Sequence, residues 1–436
     1  MLQVLDATIE PITQVLQRLR RVAAEPTPEQ EAQVRAILEA VRTQGDRALI
    51  QLTRQWDCPT LEHLEVSPEE FENAYAQVDE LLLDAIQLAV ARVHEYHAHQ
   101  PRPTSWWMTE HLGGMLGQIV RPLQRVGLYV PGGRARYPST VIMTAVPAAV
   151  AGVEEIILCT PPQRDGSIHP AVLVAAREAG VHRVFKLGGA QAIAAMAYGT
   201  ETIPAVEKIV GPGNLYVNLA KRLLWGTVGV DLWAGPSEAV IIAEPWVPPE
   251  VVAAEMLTQL EHGSESVAYL LTPNSWLIQE TIAAIEQQLQ MRTRAEILQQ
   301  SLRNSYAVHT ESIDQAVKIA NAIAPEHLAL MVKRPLEWLP RIENAGCILL
   351  GATTPQAIAD YLAGPSHTLP TGGAARFESP ISVETFFKRS SVVWLSSLTI
   401  GNIGYDATLL AREEGFDGHA YAIELRSAVR SQLEGD

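Results

Sequence analysis

Cysteine is scarce: only Cys58, Cys159 and Cys347 occur in 436 residues. Their number is odd, their spacing wide, and no CxxC pair occurs, which speaks against a disulfide framework and for a reduced, cytoplasmic chain. Surplus positive charge is also lacking. The formal net charge is −16, which disfavours sequence-independent binding to nucleic acid or to anionic membranes, since both need excess Lys and Arg. The longest apolar stretch, around Val141 to Val153, contains Thr144 and Pro147 and is too short to cross a bilayer. The first ten residues carry acids and no basic segment, which argues against a secretory signal. Internal repeats, low-complexity linkers and a GxGxxG dinucleotide fingerprint are all absent.

What remains has the texture of an enzyme. With 47% hydrophobic residues the chain has ample material for a core, and its length suggests two to four domains. Residues 29–52 follow Thr27-Pro28, an N-cap and first-turn pair, and are expected to be helical, as are residues 68–97. From Arg125 to about Ala243 strands alternate with helices. Short apolar runs at 126–130, 155–159, 183–187, 208–210 and 228–233 lead into Gly132-Gly133, Thr160-Pro161-Pro162, Gly188-Gly189, Gly211-Pro212-Gly213 and Ala234-Gly235-Pro236-Ser237. The alternation resumes after Pro248-Pro249, with strands expected at 268–271, 306–309, 328–331 and 347–350, which reads as a second α/β unit. Further on, a helical pattern near 384–388, a strand at 392–395 and a terminal helix from about His419 are expected. Such a pattern predicts mostly parallel sheets covered by helices. Three of the glycine turns fall at carboxyl ends of strands, where open α/β sheets bind ligands.

Four segments could carry chemistry. On a helix, Gln259 and His262 share a face and could offer an amide oxygen and an imidazole to one metal ion; taken alone, a solvated helix end with His262 in its last turn is the commoner reason for such a pair. Glu326-His327, after Pro325, could form an acid/base pair or a plain surface turn. Asp360 precedes a loop dense in Gly, Pro and hydroxyl groups, from Gly364 to Gly373, that suits ligand binding. The fourth segment, Glu413-Glu414-Gly415-Phe416-Asp417-Gly418-His419, could equally cap a final helix. Gln259, His262, Asp360 and His419 together would supply N and O donors for one zinc ion.

The strings Gly127-Leu128-Tyr129-Val130-Pro131-Gly132-Gly133, Gly188-Gly189-Ala190-Gln191-Ala192 and Gly211-Pro212-Gly213-Asn214 resemble the histidinol dehydrogenase family. So do Ala234-Gly235-Pro236-Ser237-Glu238, Glu261-His262-Gly263, Ala324-Pro325-Glu326-His327-Leu328 and the run from His367 to Gly373. They stand in the family's order and spacing from about residue 120 to 420. The resemblance implies oxidation of L-histidinol through L-histidinal to L-histidine with two NAD+ and one Zn2+ per subunit. It implies a zinc site of Gln259, His262, Asp360 and His419, the last supplied by the other subunit of a homodimer with shared sites. Glu326 and His327 match the catalytic positions. Ser237, Gln259, His262, His327, Asp360, Glu414 and His419 match substrate contacts, and Tyr129, Gln191 and Asn214 match NAD contacts.

The implied fold is α/β: two incomplete Rossmann-like domains with small N- and C-terminal dimerisation segments. Residues 26–125 with 239–380 would form the domain of the zinc and acid/base residues, and 126–238 the NAD domain. Residues 1–25 and 381–436 would be the terminal segments. Three other readings compete with this one, the first a relative of the same fold that oxidises another alcohol with zinc and NAD, against which Ser237, Glu414 and His419 together argue. A zinc hydrolase with Glu326 activating metal-bound water would produce no NADH, and a binding protein without catalysis fits poorly with four ligands and an acid/base pair. Cys159 reads as a buried strand-end residue, not a nucleophile, because no neighbour in sequence would activate it.

Overall fold

Runs of β-branched and aliphatic residues too short for helices, many of them closed by Gly or Pro, make the strands of the parallel sheets, and the apolar stretches between them coil over the sheets. The computed structural model describes residues 2–19, 26–111, 113–132, 136–232 and 235–428. Gly133, Trp233 and Ala234 of the expected turns, and part of the expected N-terminal segment, lie outside them. In chain order the strands are β1 Gln3–Asp6, β2 Trp106–Thr109, β3 Gly114–Pro122, β4 Arg125–Tyr129 and β5 Glu155–Thr160. Next come β6 Arg183–Lys186, β7 Lys208–Val210, β8 Gly229–Val230, β9 Glu238–Ala243 and β10 Val267–Thr272. The last are β11 Tyr306–His309, β12 His327–Met331, β13 Cys347–Leu350 and β14 Phe387–Leu395.

The chain divides into two compact units, one of Met1–Gln100 with Leu123–Phe386 and a smaller one of Pro101–Pro122 with Phe387–Asp436. The larger unit holds two sheets, both wholly parallel, as the α/β reading requires. One has the order β1-β11-β10-β9-β12-β13 and the other β6-β5-β4-β7-β8. On β9, Ala239, Ile241 and Ala243 face a core shared with Val252, Met256 and Leu257 of the helix Pro249–Leu260. Val240 and Ile242 face the opposite core, with Val317 and Ile319 of the helix Ile313–Ile323. A strand buried on both faces has no polar alternation, which is why it blends into its apolar surroundings in the sequence.

The helical N-terminal third departs from expectation in two ways. The expected helix over 29–52 is two helices, Pro28–Gln44 and Asp46–Trp56, broken at Gly45. Gly45 has φ +53°, and the Glu201 carboxylate fills the space a Cβ would need while accepting the Asp46 N–H at 2.8 Å; only glycine tolerates both. Likewise 68–97 splits into Pro68–Gln77 and Glu80–His99, the second capped by Asp79. These helices do not cover the sheet of residues 239–380, as the expected division has it. Val34, Leu38, Val41 and Leu49 pack with Phe185, Ile193 and Leu219 of the five-stranded sheet's lobe.

In the smaller unit, β14, β3 and β2 form an antiparallel sheet, and the helices Ser397–Glu413 and Asp417–Ala428 pack on each other. The expected helix near 384–388 is a single 3-10 turn, Val383–Phe386, before β14 begins. All four residues of β2 are exposed, so no buried face imposes a readable alternation there.

Candidate functional site

Sheet polarity decides where the candidate residues stand. β9, β12 and β13 begin at Glu238, His327 and Cys347, so Ser237, Glu326 and His327 cluster at the amino edge of the six-stranded sheet. The helices Pro249–Leu260 and Gln356–Tyr361 run back to that same edge and end there, presenting Gln259 and Asp360. On the five-stranded sheet the candidate residues lie at the other edge. Tyr129 ends β4, Gln191 follows β6 and Asn214 follows β7, all at carboxyl ends, as the glycine turns suggest. Residues 231–237 carry the chain from the carboxyl end of β8 to the amino end of β9. The lobes also touch where the Thr140 hydroxyl meets His367 Nε2 at 3.1 Å and the Ser366 hydroxyl donates to the Met143 carbonyl at 2.9 Å.

Glu326 and His327 are placed by an unusual turn. Ala324, the residue before Pro325, has φ +56° and is the one non-glycine residue with positive φ among the described residues. A left-handed alanine costs about 1 kcal/mol, and here it redirects the chain from the helix Ile313–Ile323 into β12. Glu326, 6% exposed, accepts hydrogen bonds at Oε2 from the Glu238 N–H (3.1 Å) and from Gln259 Nε2 (3.4 Å). His327 is 2% exposed, and neither ring nitrogen has a hydrogen-bond partner. Asp360 Oδ1 lies 3.6 Å from its Nε2 and Glu326 Oε2 lies 4.0 Å from its Nδ1. An imidazole buried with both nitrogens open is costly, and is poised to exchange a proton with a ligand.

The local field is set by burial against neighbouring charge. Burial opposes a charged His327, but the carboxylates of Asp360, Glu326 and Glu255 outweigh it and raise the imidazole's pKa above its ordinary value. Burial likewise opposes the Asp360 carboxylate, and His327, His367 and His262 outweigh it, so its pKa is lowered. Burial dominates at Glu255, pushing its carboxyl up, and at the Cys347 thiol, pushed up to about 11. Burial raises Cys159 as well, and a fully buried thiol of that kind is no nucleophile, in keeping with its sequence reading.

Fully buried Gln259 accepts at Oε1 from Gln356 Nε2 at 2.6 Å, and the same nitrogen lies 3.5 Å from Asp360 Oδ2. The helix bearing Gln259 stops at Leu260, so His262 stands just beyond it and is exposed, not on the last helical turn. Ser237 is half-buried before β9. Glu414 and His419 belong to the smaller unit, both exposed, at the end of the helix Ser397–Glu413 and within Asp417–Ala428. Among the described residues no three His, Cys, Asp or Glu side chains form a metal cluster.

On the other lobe, the Tyr129 hydroxyl accepts the Gly189 N–H at 3.1 Å, and burial pushes its pKa up to about 12. Buried Gln191 has an amide oxygen without a partner. Exposed Asn214 caps the helix Leu215–Leu224, accepting from the Tyr216 and Val217 N–H groups. Sequence reasoning missed Glu255 and Gln356. Each lies four residues before a candidate ligand on a helix, Glu255 before Gln259 and Gln356 before Asp360, and that i,i+4 spacing was the available signal.

Two parallel sheets in contacting lobes, with a buried Glu–His pair at the amino edge of one and glycine turns at the carboxyl edge of the other, are the frame of a two-lobed α/β enzyme. Comparison with known proteins narrows the class: the histidinol dehydrogenase family model matches residues 20–427, and the chain belongs to that family, whose members are NAD-linked oxidoreductases of histidine biosynthesis. A histidinol dehydrogenase of Moorella thermoacetica is 50% identical over 398 residues, covering 91% of this chain and 94% of its own. One from Halalkalibacterium halodurans is 45% identical over 409 residues, covering 94% and 96%. The crystal structure of histidinol dehydrogenase from Elizabethkingia anophelis superposes with a TM-score of 0.91 at 35% identity, covering 99% of both chains.

Proposed function

We propose that the chain oxidises L-histidinol through L-histidinal to L-histidine, using two NAD+, and so performs the last two steps of histidine biosynthesis. The observation that carries this reading is the Glu326–His327 pair, buried beside Asp360 with both imidazole nitrogens open. His327, made more basic by its carboxylate neighbours, takes the alcohol proton as the carbinol carbon gives its hydride to the first NAD+. Glu326 then takes a proton from water as the water oxygen adds to the aldehyde carbon. His327, its first proton returned to the aldehyde oxygen as the water adds, accepts a proton from the resulting hydrate as the second hydride passes to the second NAD+, and the acid so formed loses its remaining proton to solvent as the carboxylate. Tyr129, Gln191 and Asn214 hold the dinucleotide, and Ser237, Glu414 and His419 contact the amino alcohol.

The donor chemistry fits a zinc ion incompletely within one unit. Gln259 offers an amide oxygen, Asp360 a carboxylate, and His262 an imidazole whose charge acts on Asp360, one donor short of a tetrahedral set. His419 of the partner subunit completes it in a homodimer with shared sites. Zinc so bound supplies a fixed point that orients the substrate nitrogens and alcohol. The smaller unit supports a dimer, since it exposes Trp106, Trp107, Met108, Trp394, Tyr405 and Tyr421, more apolar surface than a monomer commonly leaves in water.

The test is NADH release from L-histidinol and NAD+, with and without a chelator. About two NADH per histidinol, lost on chelation and restored by zinc, is the expected result. A folded, zinc-loaded protein that makes no NADH removes histidinol as substrate and favours the hydrolase. Mixing inactive His419→Ala and His327→Ala chains should restore part of the activity. No recovery after verified subunit exchange would rule out shared sites.

A further inference from the structure

The turn Gly211-Pro212-Gly213-Asn214 is held from behind by a charge pair with no part in the reaction. Lys221, on the helix Leu215–Leu224, and Asp231, just after β8, form an ion pair at 2.6 Å, their side chains 4% and 2% exposed. Both close on one residue. Asp231 Oδ2 accepts the Gly211 N–H at 2.6 Å, and Lys221 Nζ donates to the Gly211 carbonyl. Gly211 has φ +123°, and a Cβ there would overlap the Tyr129 carbonyl, so the turn is pressed against the end of β4. Two residues on, the Asn218 amide donates to the Gly213 carbonyl at 3.2 Å.

Stability does not explain this arrangement. Desolvating two charges costs about what their attraction returns, and an apolar pair of the same volume commonly does as well. What an apolar pair cannot do is hold both polar groups of a single glycine while that glycine lies against Tyr129. From this geometry we infer that Lys221 and Asp231 are positioning residues for NAD+, fixing the Gly211–Asn214 turn so that it meets the dinucleotide preformed. The inference rests on the assignment of Tyr129, Gln191 and Asn214 to the NAD+ side.

The test is calorimetric titration of the zinc-loaded enzyme with NAD+ and, separately, with L-histidinol, for the wild type, Lys221→Met/Asp231→Leu, Asp231→Asn and Asn214→Ala. The double variant leaves no lone buried charge, and its thermal midpoint should fall only modestly, from the unpaired Gly211 N–H and carbonyl, with the protein fully folded at the titration temperature. Its dissociation constant for NAD+ should rise on the order of tenfold, as expected when a contact surface is no longer held in place, with L-histidinol binding unchanged. Asp231→Asn keeps the shape but offers one acceptor where two are needed, and should give a smaller rise of the same kind. Wild-type NAD+ affinity in both Lys221/Asp231 variants overturns the inference. So does an equal loss of NAD+ and histidinol binding with a collapsed midpoint, which marks a merely structural pair. Asn214→Ala separates the two levels: if it weakens NAD+ binding while the pair variants do not, the NAD+ assignment stands and only the positioning role falls. If none of the variants weakens it, both fall.

Discussion

Replacing Gln356 by leucine separates metal affinity from stability. Gln356 is 1% exposed; its Nε2 donates to Gln259 Oε1 at 2.6 Å, its own Oε1 has no partner, and its backbone N–H donates to Glu255 Oε1 at 2.9 Å. Leucine keeps the backbone bond and a comparable volume. It removes two buried hydrogen bonds, to Gln259 Oε1 and, at 3.5 Å, to Asp360 Oδ2, and leaves the Gln259 oxygen unpaired, a loss of about 1 to 3 kcal/mol, while removing an unsatisfied buried acceptor returns about 1 kcal/mol. The metal-free protein should therefore lose no more than about 2 kcal/mol, read from denaturant midpoints. Zinc affinity should respond otherwise, because the same amide orients Gln259 and lies beside Asp360, both proposed ligands. Losing such an orienting partner typically weakens a site about 10- to 100-fold, or about 1.4 to 2.7 kcal/mol. Competition for zinc against a chromophoric chelator measures it directly. Unchanged zinc affinity in a folded Gln356→Leu protein would refute the reasoning, as would a loss of metal-free stability larger than the loss of binding.

Three further outcomes follow from the same geometry. Glu326→Gln retains an acceptor for the Glu238 N–H but takes no proton from water, so oxidation of L-histidinal should fall about 10²- to 10⁴-fold while the first hydride from L-histidinol is largely kept; equal losses in single-turnover assays would remove Glu326 as the base for water. Ile241, fully buried in β9, should lose about 2 to 5 kcal/mol of stability on substitution by alanine, and a loss below about 1 kcal/mol in denaturant titrations would mean that the sheet is less tightly packed there. His97 is held below its ordinary value of 6.5 by burial, with Gln100 opposing in part, so the unfolded chain binds the proton more readily. Its contribution to stability is complete above about pH 6.5 and is lost as the pH falls towards the depressed folded value. Denaturation midpoints of His97→Gln should drop less than those of the wild type between about pH 7.5 and 5.5, and parallel curves would exclude His97 as a source of acid lability.

Strands such as β7 and β13, closed by Gly211 and Gly351, were legible, because a turn residue marks its own position. β7, β11 and β13 stand where the pattern placed them. β9 went unread although β10 and β12, likewise buried on both faces, were read, and β2 went unread because it has no buried face to impose an alternation. Gly45 looked like an ordinary helical position; its meaning depends on Glu201, which is distant in sequence. Glu326 and His327 could be named from their string, but not the Ala324 turn that aims them, since a left-handed alanine has no signature. Gln356 and Glu255 were the hardest to see. They act on other candidate residues by contacts between helices, and only their four-residue offset from Asp360 and Gln259 hinted at it.

The opposed sheet edges give the junction an electrical direction. On the five-stranded side the helices Gly189–Tyr198 and Leu215–Leu224 begin beside the proposed dinucleotide residues, and helix starts carry partial positive charge, which favours phosphate. On the six-stranded side the helices Pro249–Leu260 and Gln356–Tyr361 end beside Gln259 and Asp360, and helix ends carry partial negative charge, which favours cations. The backbone field alone thus favours anionic groups at one edge and cationic groups at the other. A charge-reversed substrate would meet an opposing field at both edges, however well its shape fitted.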